Sequence, residues 1–292
     1  MTFLFPASQV ETWLWLPPLV SFVLAYFGAM AGVTGAFLLL PFQMSVLGYT
    51  TPGVSGTNFI YNVVAIPGTV FRYAGEGRFN WPLVLAITVG NVPGLLFGYL
   101  LRIHYLSDPG LFRPFAGVVL LGLAMLLAKR IFGRHPSRPA PALKARLSVE
   151  ETGWCEVCYR FDGHLYTFDP RVVIVVSLVT GVVGGAYGIG GGAVLAPFCL
   201  GVLRLPAHSI AAACLTGTFI SSLVGAVIYH LGALTTGFDS RPDYLLGLLF
   251  GLGGAAGGYL GARTQKHVPE MPIKIGLFLV LLFIAGRYIF TS

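Results

Sequence analysis

Residues 188–192 read Gly-Ile-Gly-Gly-Gly, inside a stretch from 172 to 203 that has no Asp, Glu, Lys or Arg. Adjacent glycines unwind an apolar helix and bare its backbone N–H groups. At membrane depth such backbone is tolerated only where it lines a cavity or is covered by protein. A helix restarting at about Ala193 would aim its N-terminal amides back at the break, and a helix start of that kind attracts anions. Gly190, Gly191 and Gly192 are therefore candidate anion ligands. A degenerate earlier copy, Thr34-Gly35-Ala36, keeps one of the three glycines and adds the Thr34 hydroxyl. Asn58 and Asn62 are four residues apart and share a helical face. With Thr57 and Tyr61 nearby they could hydrogen-bond an oxyanion, as could Thr216, Thr218, Ser221 and Ser222. The competing role for such side chains is to tie helices together, at roughly 0.6 kcal/mol each. The isolated glycines Gly181, Gly251, Gly257 and Gly258 read as close helix packing. His230 is the best candidate for a group that titrates near neutral pH.

Other chemistry has less support. Cys155-Glu-Val-Cys158 could be a redox pair or half a zinc site, but there is no second Cys pair, and His164 leaves a four-ligand set incomplete. No metal, cofactor or catalytic residue is expected. No Asp or Glu falls inside an apolar segment, so a carboxylate proton relay has no residue to run on. The four lysines (129, 144, 266 and 274) lie in loops or at segment ends. No phosphate-binding loop ending in Lys-Ser/Thr is present, which leaves an ATP-driven mechanism without a site.

The elements that must hold these groups are membrane helices. Hydrophobic residues make up 55% of the 292, charged residues 10%, and mean hydropathy is +0.79. A soluble domain averages about 25% charged residues, so a soluble enzyme is excluded, and the net charge of +7 does not point to nucleic acid. Sixty consecutive residues between Glu11 and Arg72 contain no Asp, Glu, Lys, Arg or His. Apolar segments at 14–48, 53–74, 80–101, 114–131, 172–203, 206–232, 243–262 and 274–290 predict an all-α polytopic membrane protein of about eight transmembrane segments in the lipid bilayer. The first and fifth are too long for one span and carry central glycines, which predicts broken or re-entrant helices. Trp13, Trp15 and Trp81 read as interfacial anchors.

The two halves resemble each other. At an offset of 156, Gly28 meets Gly184, Gly32 meets Gly188, Gly35 meets Gly191 and Pro41 meets Pro197. This predicts a first transmembrane repeat at 1–131 and a second at 172–292, joined by a hydrophilic linker at 132–171. The linker opens with a Pro/basic run, 134–141. It then alternates around Asp162-Gly163, a hairpin signal that predicts a small cytoplasmic β element. Eight crossings would place both termini and the linker on one side, with twelve Lys and Arg against six on the other. The positive-inside rule makes that side cytoplasmic. If segments one and five are re-entrant, parity changes within each half and the repeats become inverted rather than parallel.

The run from Gly184 to Pro197, its degenerate copy ending at Pro41, the polar stretches after each, and the plan of two four-segment halves resemble the TauE/SafE family of sulfite and organosulfonate exporters. The resemblance implies transport of sulfite, a sulfonate or a related small anion across the bacterial cytoplasmic membrane. On that reading the expected site comprises Thr34, Gly35, Asn58, Asn62, Gly190, Gly191, Gly192, Thr216 and Thr218, and a homo-oligomer is compatible with it. Moving one negative charge out of an inside-negative cell yields about 2.3 kcal/mol per 100 mV, so export needs no strong proton motor. The alternatives are an anion channel with the same site, or a membrane oxidoreductase using Cys155 and Cys158.

Overall fold

The computed structural model describes residues 2–31, 34–75, 77, 79–132, 147–264, 268 and 270–290. Gly32, Arg78 and the Pro/basic run 134–141 lie outside the described residues. The chain opens with a hairpin, β1 (Thr2–Phe5) and β2 (Val10–Trp13). There follow α1 (Leu16–Ala31), α2 (Ala36–Ser45), α3 (Gly53–Ala65), α4 (Pro67–Gly75), α5 (Trp81–His104) and α6 (Pro109–Phe132). The antiparallel sheet β3 (Leu147–Thr152), β4 (Val157–Phe161) and β5 (His164–Phe168) leads into α7 (Pro170–Tyr187) and α8 (Gly191–Gly201). The last three helices are α9 (Ala207–Thr236), α10 (Tyr244–Thr264) and α11 (Glu270–Phe290). The helices α5, α6, α7, α9, α10 and α11 are each long and apolar enough to cross a membrane.

The expected hairpin in the central sheet is present. Phe161 pairs with His164, and Asp162 and Gly163 both take positive φ, +52° and +77°, as a two-residue type I′ turn requires. Tyr159 and Phe161 bury against Leu83, Ile87 and Leu205. The Tyr159 hydroxyl lies 2.9 Å from that of Ser209. Burial pushes this phenol up to about 12, so it stays a neutral hydrogen-bonding group at physiological pH. The hairpin β1–β2 was not foreseen. Its turn is fastened by Ser8, whose N–H and hydroxyl both donate to the Asp243 carboxylate at 3.0 and 2.9 Å.

Both long segments break, and both fold back. The chain enters α1 beside the N-terminus of α10, turns at Thr34-Gly35, and returns along α2 to the same end. There Ser45 meets Tyr288 near the end of α11, and the Tyr49 hydroxyl donates to the Arg241 carbonyl. The α7–α8 hairpin instead starts and finishes at the end that carries the sheet. At that end Leu147 bonds to Gly77, and Leu205 joins the sheet's apolar core. The chain changes ends along α3–α4, α5, α6, α9, α10 and α11. The expectation that both termini share the linker's side therefore fails: the amino-terminal hairpin and the end of α11 lie opposite the sheet. The reason is parity, because each hairpin costs its half one crossing.

Close packing follows an exchanged pattern, with α1 against α10 and α7 against α5. On α5, a Cβ at Gly90, Gly94 or Gly98 would overlap the carbonyl oxygens of Ile174, Leu178 and Val182 in turn. On α10, a Cβ at Gly253, Gly257 or Gly261 would overlap those of Pro18, Phe22 and Tyr26. Small residues four apart let helix backbones touch in this way. The two sets of carbonyls differ by 156 in residue number at every position.

Candidate functional site

A cavity of about 390 Å³ lies between the tip of the first hairpin and the linker end. Its floor is Ala29, Thr34 and Gly35 at the α1–α2 break. Asn62, Thr69 and Tyr73 on α3–α4 form one wall, and Ala211, Cys214 and Thr218 on α9 face them. Its upper reaches are Leu126 and Leu127 of α6 and Ala262 of α10, which places the mouth toward the linker. No Asp, Glu, Lys or Arg lines it among the described residues.

The polar groups around it are neutral. The Thr34 hydroxyl is buried and has no hydrogen-bond partner. Gly35 sits at the N-terminus of α2, so the first free amides of that helix point at the cavity floor. The helix dipole adds a partial positive charge there. Gly35 is also kept small by Tyr61, whose hydroxyl would be 2.8 Å from an added Cβ. The arrangement can solvate a small oxyanion with hydrogen-bond donors while holding no fixed counter-charge.

The site residues expected from sequence divide into two groups. Thr34, Gly35, Asn62 and Thr218 line the cavity. Gly190, Gly191, Gly192, Asn58 and Thr216 do not. Gly188 and Gly190 take φ of +85° and +70°, which glycine adopts without strain, and they turn the chain between α7 and α8. An added Cβ at Gly190 would come 2.9 Å from Thr218 Cγ2, one at Gly191 would overlap the Asn91 amide, and one at Gly192 the Cys214 carbonyl. Asn58 is buried and donates to the Ala36 carbonyl at 3.2 Å, leaving its Oδ1 without a partner. Thr216 donates to the carbonyl of Ala212. His230 lies on α9 with its ring 5.8 Å from that of Tyr244, away from the cavity. Of the glycines read as packing, Gly257 meets α1, Gly181 meets Asn91 and Gly251 meets Val64, whereas Gly258 faces the cavity.

The second hairpin tip is clasped from all sides. Tyr229 donates to the Gly185 carbonyl and Ser55 to the Ala186 carbonyl, both at 2.8 Å; Asn62 donates to the Ile189 carbonyl at 3.3 Å. Tyr187 in turn donates to the Phe37 carbonyl at 2.8 Å. Beyond the clasp, Arg102 is fully buried, with its guanidinium 3.7 Å above the Phe112 ring and donating to the carbonyls of Leu106 and Thr50. These contacts seal the end opposite the linker.

Sequence reasoning missed Asn91, Tyr73 and Tyr229. Asn91 is a lone amide in the apolar α5. Its oxygen and nitrogen are assigned by their neighbours: Oδ1 accepts from the Gly192 N–H at 3.1 Å, and Nδ2 donates to the Ser177 carbonyl at 2.8 Å. The start of α8 is therefore capped by a side chain. A solitary polar residue inside an apolar span was the available signal. Cys155 and Cys158 sit in the sheet region as free thiols, the first exposed and the second half-buried.

Residues 18–288 match the family model described as Sulfite exporter TauE/SafE. The chain is similar to the probable membrane transporter protein YunE of Bacillus subtilis, at 22% identity over 91% of this chain and 93% of that one. It is also similar to the probable membrane transporter protein MJ0441 of Methanocaldococcus jannaschii (24%, covering 94% and 95%) and to YjnA of Bacillus subtilis (24%, covering 88% and 93%). No solved structure matches it significantly.

Proposed function

Because this chain belongs to the sulfite exporter TauE/SafE family of membrane transporters, we propose that it is a secondary transporter exporting sulfite or a small organosulfonate. The observation that carries this reading is the cavity at the first hairpin tip. It offers the free Thr34 hydroxyl, Asn62 and the amides of α2 to an anion, while Thr218 beside them donates to the Cys214 carbonyl at 2.9 Å, and among the described residues it holds no carboxylate to repel an anion. A proton-driven importer would need an acidic relay in that place. The hydrogen bonds that clasp the α7–α8 tip close the far end among the described residues, which favours a carrier over a channel.

The linker end is the cytoplasmic end on this reading. Assigned by the end that each element reaches, eight of the twelve Lys and Arg among the described residues belong to the linker end. Only Arg102, Arg113, Arg241 and Arg287 belong to the other. A bias of that sign is what the positive-inside rule favours. The cavity then opens to the cytoplasm, where an exporter loads, and both termini face outward. The halves 1–131 and 172–292 are inverted repeats, supported by the exchanged glycine seams and their constant offset. A cysteine placed at Ser8 should react with an impermeant maleimide added outside intact cells, while Cys155 should react only after lysis. The reverse pattern would overturn the orientation.

Transport is tested in proteoliposomes. Efflux of sulfite or of a sulfonate with net negative charge, such as sulfoacetate, should rise with an imposed inside-negative potential. Thr34→Val should lower the flux about tenfold or more, because a hydrogen bond to a charged group contributes about 1.5–3 kcal/mol. Thr216→Val, buried but off the cavity, should stay within about twofold, allowing for the few tenths of a kcal/mol typical of a helix-tying hydroxyl. Equal losses in both variants, or a flux indifferent to potential, would count against the proposal.

A further inference from the structure

The cavity has a mirror image that is closed in this structure. Adding 156 to its lining residues converts Thr34 and Gly35 into Gly190 and Gly191, Ala65 and Ile66 into Ser221 and Ser222, and Ala29 and Tyr73 into Gly185 and Tyr229. These counterparts gather on the far side of the molecule. Ser221 and Ser222 are fully buried and have no hydrogen-bond partner, and Asn58, which is also buried, has an orphaned Oδ1. Together with Thr218, the two serines continue along α9 the same face that lines the open cavity. Buried hydroxyls without partners are costly in a membrane interior. Their presence calls for a second state in which they find one.

We propose that Gly190, Gly191, Ser221 and Ser222 form a second oxyanion station, collapsed here, which opens away from the linker when Tyr229 releases the Gly185 carbonyl. The proposal rests on the transporter reading above. In that second state the open cavity closes, and Tyr73 donates to the Ala29 carbonyl as Tyr229 now does to that of Gly185. Tyr73 and Ala29 both line the cavity, and Tyr73 is half-exposed where Tyr229 is buried. The space of the collapsed station is filled by Phe59, whose ring would lie 2.7–2.9 Å from a Cβ at Gly225, the counterpart of cavity-lining Thr69. The glycine run at 190–192 thus serves both close packing in one state and anion binding in the other.

The test uses the full chain with its four native cysteines replaced (Cys155→Ser, Cys158→Ser, Cys199→Ala, Cys214→Ala) and one reporter, Ala65→Cys or Ser221→Cys. Ser222→Cys serves as a second reporter if Ser221→Cys does not fold. An impermeant maleimide is added to vesicles of known orientation, with and without sulfite. The Ala65→Cys reporter should react from the linker end and the Ser221→Cys reporter from the opposite end, and sulfite should slow both. Tyr229→Phe should raise the rate of the Ser221→Cys reporter relative to that of the Ala65→Cys reporter, about fivefold for the loss of one hydrogen bond. Tyr73→Phe should shift the two rates in the opposite sense. Failure of both serine-site reporters to react from the far end, in a protein that still moves sulfite, overturns the second station and leaves the transporter reading standing. Alternating reactivity without protection by sulfite, sulfate or taurine overturns both stations as oxyanion sites, and with them the proposed substrate class.

Discussion

Gly94→Val should leave no monodisperse protein to purify. The added carbons would overlap the Leu178 carbonyl and approach the Gly181 Cα to about 3.0 Å. Both obstacles are backbone on a helix that is itself held by two neighbouring glycine contacts, so neither can turn aside as a side chain would. Overpacking commonly costs about 1–3 kcal/mol and occasionally more, and a rigid obstacle places this site at the upper end or beyond. Spreading α5 from α7 would also loosen the contacts at Gly90 and Gly98, so the loss extends along the seam. Gly257→Val should fail in the same way against Phe22. Gly122→Val and Gly276→Val, where an added Cβ meets open space, should purify like the parent. The check is size-exclusion in detergent followed by thermal unfolding. Equal behaviour of the Gly94 and Gly122 variants would show that the seam does not set the helix spacing.

Asn91→Leu should be the most damaging substitution that adds no bulk. Leucine has nearly the same shape but removes both bonds at once. The Gly192 N–H at the start of α8 is left without its partner, whereas the Ser177 carbonyl keeps the Thr180 hydroxyl at 3.3 Å. A buried group stripped of its partner costs about 1–3 kcal/mol, and a loss of that size is expected, read as a lowered unfolding midpoint in detergent. A stability unchanged from the parent would mean that the Gly192 amide finds its partner elsewhere.

Much of this could be read from residue order. The broken first and fifth segments followed from glycines set inside stretches too long for one span, and the Asp162-Gly163 turn followed from its positive-φ requirement. The side on which the termini lie could not be read, because it depends on whether a broken helix continues or turns back, and both outcomes satisfy the same apolar pattern. The site was half legible. Thr34, Gly35, Asn62 and Thr218 reach the cavity because they border the breaks or share a face with residues that do. The role of Gly191 was obscured by Asn91, a partner a hundred residues away that no local pattern announces. The hairpin β1–β2 escaped notice because four-residue strands leave too short an alternation to separate from a loop, and its fastening to Asp243 is a contact across most of the chain.

The exchanged packing also constrains how the protein is made. The glycines that receive α7 lie on α5, which leaves the ribosome first, so the second hairpin finds its seat waiting. The glycines that receive α1 lie on α10, roughly 230 residues later. At about 5–20 residues per second, the first hairpin waits roughly 10–45 s with its turn in or near the bilayer and no mate. Its assembly is thus among the last steps of biogenesis, although its synthesis is nearly the first. A nascent chain stalled before α10 would expose an unfinished hairpin to membrane quality control, whereas one stalled earlier in the second half would still hold a completed α5–α7 pair.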